Sequence, residues 1–129
     1  MARAEVLPGR CVIRAAGADA APFLQNLLTN DVAGLAVGQM SYACFLNPQG
    51  RILHDLFVLR EPGGFLIETE AARKDDLLRR FSLYRLRSKV TLEETALQVC
   101  WSESEGHADP RLPALGFRYY RDGIEGGTS

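Results

Sequence analysis

Residues 46–59 read LNPQGRILHDLFVL and describe a turn followed by a strand that is apolar on both faces. Pro48 presets φ for the second turn position, and Gly50 allows the chain to leave the turn. Side chains alternate along a strand and therefore fall on two faces: Ile52, His54, Leu56 and Val58 on one, and Leu53, Asp55, Phe57 and Leu59 on the other. The pattern predicts a strand inside a sheet.

Asp55 is the unusual residue of this strand, because a buried carboxylate requires a hydrogen-bond or charge partner. Two interpretations stay open. The carboxylate is structural and bonds an arginine such as Arg51 or Arg85, or backbone amides, or it opens into a cavity and binds a ligand. His54 is interpreted as a structural histidine on the opposite face. Neighbouring strand residues point opposite ways, so these two residues cannot act together on one substrate, and no catalytic residue is assigned.

The other patterns predict an α+β domain in which two helices cover one side of a mainly antiparallel sheet. A ferredoxin-like or closely related split β-α-β arrangement fits this order of elements. We expect strands at residues 10–15, 39–46, 52–60, 65–69, 88–94, 96–101 and 115–120. The first helix should begin with Asp19 as its N-cap and end at Thr29-Asn30, and the second helix should span residues 71–86. One core should join Leu24, Leu27, Leu28, Leu77, Phe81 and Phe57, with Tyr84 on the apolar stripe of the second helix.

Bulk properties suit one globular domain, which we place at residues 1–122 with a flexible tail at 123–129. Of the 129 residues, 47% are hydrophobic, and the net charge of -1 gives no reason to expect a nucleic-acid or membrane partner. The first ten residues lack the apolar core of a secretory signal. Cys11, Cys44 and Cys100 are widely spaced, which predicts reduced thiols, no metal site and a cytoplasmic protein.

Three segments resemble a known family in their order and spacing: FLQNLLTNDV at 23–32, YACFLNPQGRILHDLFVL at 42–59 and LYRLRSKV at 83–90. They are similar to the N-terminal part of the YgfZ-like folate-binding proteins, which belong with the T-protein (aminomethyltransferase) of the glycine cleavage system. The resemblance covers roughly residues 10–118. It implies a T-protein-like folate-binding domain, tetrahydrofolate or a derivative as cofactor, and iron–sulfur proteins as partners in cluster assembly or repair.

The resemblance places the family's acidic position at the strand of Asp55. Tyr42, Asn47, Arg85 and Arg87 are the further folate-binding candidates, and the two arginines would grip the glutamate tail of the folate. Each candidate also has a structural interpretation, since Tyr42 suits a core, Asn47 suits a turn, and arginines after a helix are usually solvated.

Three functions remain open after this comparison of motifs. A folate-binding accessory protein of iron–sulfur cluster assembly is favoured over an aminomethyltransferase-type enzyme, because His54 replaces one carboxylate of the family's acidic pair. The third is a folate-binding dimerisation module like that of the tRNA-modifying GTPases. The family's folate lies in a central hole lined by several sub-domains. We therefore expect this chain alone to bind folate weakly or not at all and to self-associate.

Overall fold

The computed structural model describes residues 3–122, in which two helices separate three runs of strands. The predicted flexible tail at residues 123–129 lies outside this range. The elements are β1 (Ala4–Val6), β2 (Arg10–Ala16), α1 (Ala20–Leu27), β3 (Met40–Leu46), β4 (Ile52–Glu61), β5 (Gly64–Glu70), a 3₁₀ turn (Ala71–Arg73), α2 (Lys74–Arg85), β6 (Thr91–Glu94), β7 (Leu97–Ser102), β8 (His107–Ala108), a second 3₁₀ turn (Pro113–Leu115) and β9 (Phe117–Asp122).

The strands form two antiparallel sheets, ordered β3-β4-β5-β2-β6 and β1-β7-β9-β8. The predicted α+β class with a mainly antiparallel arrangement and two helices is confirmed. The strand that follows the Pro48–Gly50 turn is β4, and it lies between β3 and β5, inside the sheet as predicted. The second sheet was not expected. Its strands β1 and β8 are only three and two residues long, too short to show periodicity.

The helices and one face of the five-stranded sheet enclose the main core. Its buried members come from β2 to β5, from both helices and from the segments that follow the helices, and include Ile13, Leu24, Leu28, Leu56, Val58, Ile67, Leu77 and Phe81. Phe57 was expected in this core, and that prediction is wrong. It alternates with Leu56 and Val58 along β4, so its side chain points to the opposite face of the sheet.

Helix α1 ends at Leu27, two to three residues before the predicted end at Thr29-Asn30. The following residues bond instead to β3, the edge strand of the sheet. The Thr29 amide donates to the Cys44 carbonyl at 3.0 Å, and Asn30 Nδ2 donates to the Tyr42 carbonyl at 2.7 Å. The Cys44 amide in turn donates to Thr29 Oγ1 at 3.0 Å. An edge strand presents unpaired backbone groups, and this segment satisfies three of them.

Helix α2 is shorter than predicted, because residues 71–73 form the 3₁₀ turn. Leu77 and Phe81 are buried as expected. Tyr84 is 49% exposed, and its ring packs edge-on against Phe45 at a centroid distance of 6.0 Å, so it lies at the margin of the apolar stripe. Asp19 takes the N-cap position of α1 without capping it, since its carboxylate accepts the Lys89 amide at 2.7 Å. Neither α1 nor α2 is long and apolar enough to span a bilayer.

Glu68 joins the two sheets on the face away from the helices. Its carboxylate is fully buried and accepts four hydrogen bonds: from Arg10 Nε at 2.7 Å, Arg118 Nε at 2.9 Å, Arg118 Nη2 at 2.8 Å and Tyr120 Oη at 3.0 Å. Burial, together with this carboxylate, raises the pKa of Tyr120 well above its usual value. Beside the cluster lies a small apolar contact between the sheets, formed by Val12, Leu59, Leu66 and Val99.

His54 faces the helices and is almost fully buried, at 2% exposed. Its Nε2 bonds Asp76 Oδ2 at 2.8 Å, whereas Nδ1 has no partner in the described part of the chain. Burial lowers the pKa of His54, and the hydrogen bond to Asp76 only partly opposes this effect. The imidazole is therefore neutral at physiological pH and satisfied at one of its two nitrogens.

Glu68→Gln should lower the free energy of unfolding by about 3–5 kcal/mol, because it removes the main counter-charge of the buried Arg118 and of the partly buried Arg10. Urea denaturation measures the change. Glu61→Gln is the matched control, since Glu61 pairs with Arg14 at 3.2 Å near the surface and should contribute less than about 1 kcal/mol. Equal losses in the two variants would contradict the role given to Glu68.

The stability of the protein should fall as the pH drops below about 6.5, the ordinary pKa of histidine. In that range the unfolded chain binds a proton at His54 that the folded protein resists, so protonation favours unfolding. His54→Gln retains an amide donor towards Asp76 and does not titrate, and its urea midpoint should depend less on pH between about 5 and 7. Parallel profiles for the wild type and the variant would refute this assignment.

Candidate functional site

Asp55 and Tyr42 meet on the face of the first sheet that the helices do not cover. The register of β3 and β4 places Tyr42 opposite Phe57 and Cys44 opposite Asp55, so these four side chains share a face. Tyr42 Oη donates a hydrogen bond to Asp55 Oδ2 at 2.7 Å. The partner of the carboxylate is thus a tyrosine from the neighbouring strand, and not one of the arginines or amides considered from the sequence.

The protonation states of the neighbours leave Asp55 as the acceptor in this group. The hydrogen bond to Asp55, and secondly burial, raise the pKa of Tyr42 to about 12. The phenol therefore stays protonated and donates the hydrogen bond. Burial, and then the charge of Asp55, raises the pKa of the Cys44 thiol, which makes a reactive thiolate unfavourable. Asp55 Oδ1 accepts no hydrogen bond from residues 3–122, and the side chain is half-buried.

An aromatic floor with two guanidinium groups lies next to the carboxylate. The rings of Tyr42 and Phe57 are 5.3 Å apart between centroids. Arg118 Cζ lies 4.1 Å from the Phe57 centroid, and Arg111 Cζ lies 4.9 Å from it and 5.6 Å from the Tyr42 centroid. The candidate site is therefore a carboxylate, an aromatic surface and a cation side by side.

Sequence reasoning missed the residues that supply this cation. Asp109 and Arg111 fall in the stretch after residue 102 that showed no periodicity, and Arg118 belongs to a predicted strand without an assigned role. The available signals were weak. Asp109 and Arg111 flank Pro110 in a turn-like triplet, and Glu68 interrupts the apolar run of β5, where an unpaired charge is costly.

The other predicted folate-binding residues are not brought to Asp55. Asn47 Oδ1 accepts the amides of Gln49 and Arg51, both at 2.9 Å, which is a turn-forming role. Arg85 is the last residue of α2, on the helix side of the sheet, and Arg87 follows it two residues later. Within the described chain, neither arginine forms a hydrogen bond or ion pair with Asp55. Folate contacts of these three residues remain predictions.

A separate cleft of about 390 Å³ lies on the helix side, lined by Asp19, Pro22, Phe23, Asn26, Leu27, Tyr84 and Ser88. Leu83 and Leu86, which are close to Tyr84 in the chain, are also exposed. The residues that line the cleft form no cluster of ionised groups. We therefore place the candidate site at Asp55, where charged and aromatic groups converge.

The three thiols are free and lie on separate strands, Cys11 on β2, Cys44 on β3 and Cys100 on β7. Among residues 3–122, no group of three or more histidine, cysteine or acidic side chains is arranged to hold a metal ion.

Comparison with known proteins identifies the class of domain. The family model described as the GCVT N-terminal domain matches residues 11–103. Among solved structures, the glycine cleavage system aminomethyltransferase T from Bartonella henselae superposes with a TM-score of 0.71 and 22% identity, over 78% of this chain and 28% of that one. This similarity shows a T-protein-like fold. The chain belongs to the GCVT N-terminal domain family.

The curated relatives refine the family assignment. The mitochondrial iron–sulfur cluster assembly factor IBA57 homolog of Pyricularia oryzae is 33% identical over 91% of this chain and 35% of its own length. The human mitochondrial factor IBA57 is 41% identical over 67% of this chain and 28% of its own length. The chain thus spans about a third of the length of these relatives. The predicted membership in the T-protein superfamily, as its N-terminal part, is confirmed.

The predicted cytoplasmic localisation is contradicted by the same comparison, because these relatives are named as mitochondrial proteins. The inference rested on reduced thiols and on the lack of a secretory signal core. Both features separate reducing compartments from the secretory route, and neither distinguishes one reducing compartment from another.

Asp55→Asn should lower the pKa of Tyr42 from about 12 towards its ordinary value of 10.0, because the hydrogen bond to the carboxylate stabilises the protonated phenol. Tyrosinate absorbance of the folded protein measures the titration, with far-UV circular dichroism to verify folding. In Tyr42→Phe the same transition should be missing. A Tyr42 titration unchanged by Asp55→Asn would mean that the two groups are not bonded in solution.

Proposed function

We propose that this chain supplies the pterin-binding face of a folate-dependent iron–sulfur cluster assembly factor. The hydrogen bond between Tyr42 and Asp55 on the helix-free face carries the proposal. It engages one carboxylate oxygen with a donor that stays protonated, and leaves Oδ1 to accept from a ligand. Membership in a family whose T-proteins bind folate, together with the names of the relatives, supports this reading.

The chemistry of a pterin ring complements this face. The edge of the ring carries neighbouring N–H groups, and a carboxylate accepts such groups more strongly than a neutral oxygen does. The flat ring can also pack against the half-buried ring of Tyr42, because aromatic pairs are favourable at centroid distances of about 4.5–7 Å. Phe57 is only 2% exposed and supports Tyr42 from below. Asp55 is thus proposed to orient the ligand ring, and Tyr42 to contact its face.

An assembly role is favoured over aminomethyl transfer by the relatives, which are named as iron–sulfur cluster assembly factors. The similarity to the Bartonella aminomethyltransferase concerns the fold alone. The presence of His54 in place of a carboxylate of the family's acidic pair does not discriminate between the two functions. His54 points into the helix-covered core, whereas Asp55 points to the other face of the sheet. We propose that folate binds without transfer chemistry, and that the cluster is cargo held by groups other than Cys11, Cys44 and Cys100.

Asp55→Asn should weaken tetrahydrofolate binding by about 10- to 100-fold in the longest natural protein that contains this chain, because a charge-assisted hydrogen bond is lost. Isothermal titration with tetrahydrofolate and 5-formyltetrahydrofolate measures the change. Asp75→Asn, which alters an exposed carboxylate of α2, is the control and should bind as the wild type does. If Asp55→Asn unfolds the domain or leaves the affinity unchanged, the carboxylate is structural.

Two further measurements complete the test. The chain of 129 residues alone should bind tetrahydrofolate weakly and self-associate, because the family's folate site is lined by several sub-domains. The assembly role is tested by exchanging the matching part of human IBA57 for this chain in cells that lack the human factor. Restored activity of iron–sulfur enzymes with the wild-type exchange, and not with Asp55→Asn, is the expected result.

A further inference from the structure

We propose that Arg111 is a second ligand-binding residue of this site, and that buried Asp109 positions it. Its guanidinium would donate hydrogen bonds to an oxygen acceptor of the same ligand whose N–H groups bind Asp55. This inference rests on the proposed folate function and adds to it a group that determines which ligands the site accepts.

Arg111 is held in one orientation, which is unusual for an arginine in a loop. Its Nε donates to Asp109 Oδ1 at 3.0 Å, its Nη2 to Asp109 Oδ2 at 2.7 Å, and its backbone amide to Oδ1 at 2.9 Å. The Asp109 side chain is only 2% exposed. A paired guanidinium fork of this kind loses most of its rotamer freedom when the protein folds, before any ligand binds.

The bonds to Asp109 use one edge of the guanidinium and leave the other available. Nη1 of Arg111 has no hydrogen-bond acceptor within residues 3–122, and the side chain is 40% exposed. The hydrogen bond that Arg111 donates to Asp109 raises the pKa of Arg111, so the group is always charged. A fixed, charged and partly exposed donor edge is what an anionic or carbonyl oxygen requires.

The position of this edge relates it to Asp55. The guanidinium lies over the rings of Phe57 and Tyr42, and the Tyr42 hydroxyl bonds the carboxylate. A carboxylate and a guanidinium therefore flank one aromatic floor. Arg118 also lies over Phe57, but its Nε and Nη2 donate to Glu68 and the Arg118 side chain is only 9% exposed. Arg118 is therefore assigned to the packing between the sheets and not to the ligand.

The carboxylate of Asp55 and the guanidinium of Arg111 together define the class of ligand that the site would accept. It is a planar heterocycle with N–H donors towards Asp55 and an oxygen acceptor towards Arg111. In a folate this oxygen has two sources, the carbonyl of the pterin ring and the carboxylates of the glutamate tail. The chemistry is the same for both, since each oxygen accepts N–H bonds from a guanidinium.

Arg111→Ala should weaken tetrahydrofolate binding about 10- to 100-fold in the longest natural protein that contains this chain. Arg111→Lys should recover only part of the affinity, because an ammonium group is a point charge and cannot reproduce the fork. Arg121→Ala, in which an exposed arginine of β9 that bonds Gln98 is removed, is the matched control and should stay within about twofold of the wild type.

Tetrahydropteroate, which lacks the glutamate, distinguishes the two oxygens. An equal loss with both ligands assigns Arg111 to the ring carbonyl, and a loss with tetrahydrofolate alone assigns it to the tail. Added methylguanidinium should restore part of the affinity of Arg111→Ala by filling the vacant position. A merely structural arginine would instead change the urea midpoint and show no rescue.

The positioning role of Asp109 is tested by a double-mutant cycle. Asp109→Asn should weaken binding in the wild-type background, and most of this loss should disappear in the Arg111→Ala background, because Asp109 acts on the ligand mainly through Arg111. Asp109 Oδ2 also lies 3.6 Å from Arg118 Nη1, and a small residual effect is assigned to that contact. Additive losses of affinity would show that Asp109 acts independently of Arg111.

The outcomes separate this inference from the proposed function. If the wild type binds tetrahydrofolate and folded Arg111→Ala binds it within about twofold, the role of Arg111 is overturned and the folate function stands. If the wild type does not bind any of the folates, both are overturned.

Discussion

The buried carboxylate of Glu68 is the interaction on which the arrangement of the two sheets depends. An ionised carboxylate without partners would cost several kcal/mol in this position, and four donors from β2 and β9 remove that cost. Since their geometry must be satisfied together, the strands have little freedom to shift. The same bonds hold Arg118 over Phe57 and so shape the floor of the candidate site.

The alternation of side chains along β4 separates the helix-covered core from the face that carries the candidate site. Leu56 and Val58 pack into the helix-covered core, where His54 bonds Asp76. Asp55 and Phe57 face the other way, towards the residues that meet at the site. A change on one face therefore leaves the chemistry of the other largely intact. This separation lets one scaffold carry different functions with the same packed core.

The chain combines a T-protein-like fold with relatives named as iron–sulfur cluster assembly factors. The candidate site holds a carboxylate and a fixed guanidinium beside an aromatic floor. None of them is a thiolate or a metal centre. Further parts of the longer relatives are the place to seek groups that handle a cluster.

The sequence by itself determined the elements with local signals. The Pro48–Gly50 turn, the two faces of β4 and the burial of Leu77 and Phe81 follow from turn chemistry and periodicity, which involve residues close in the chain. Motif order also identified the superfamily. Only the tertiary structure decided the end of α1, the second sheet and which side chains pack against Phe57. It also decided the pairing of Asp109 with Arg111 next to Asp55. These features depend on contacts such as that between Glu68 and Arg118, 50 residues apart, and such contacts leave no periodic trace in the sequence.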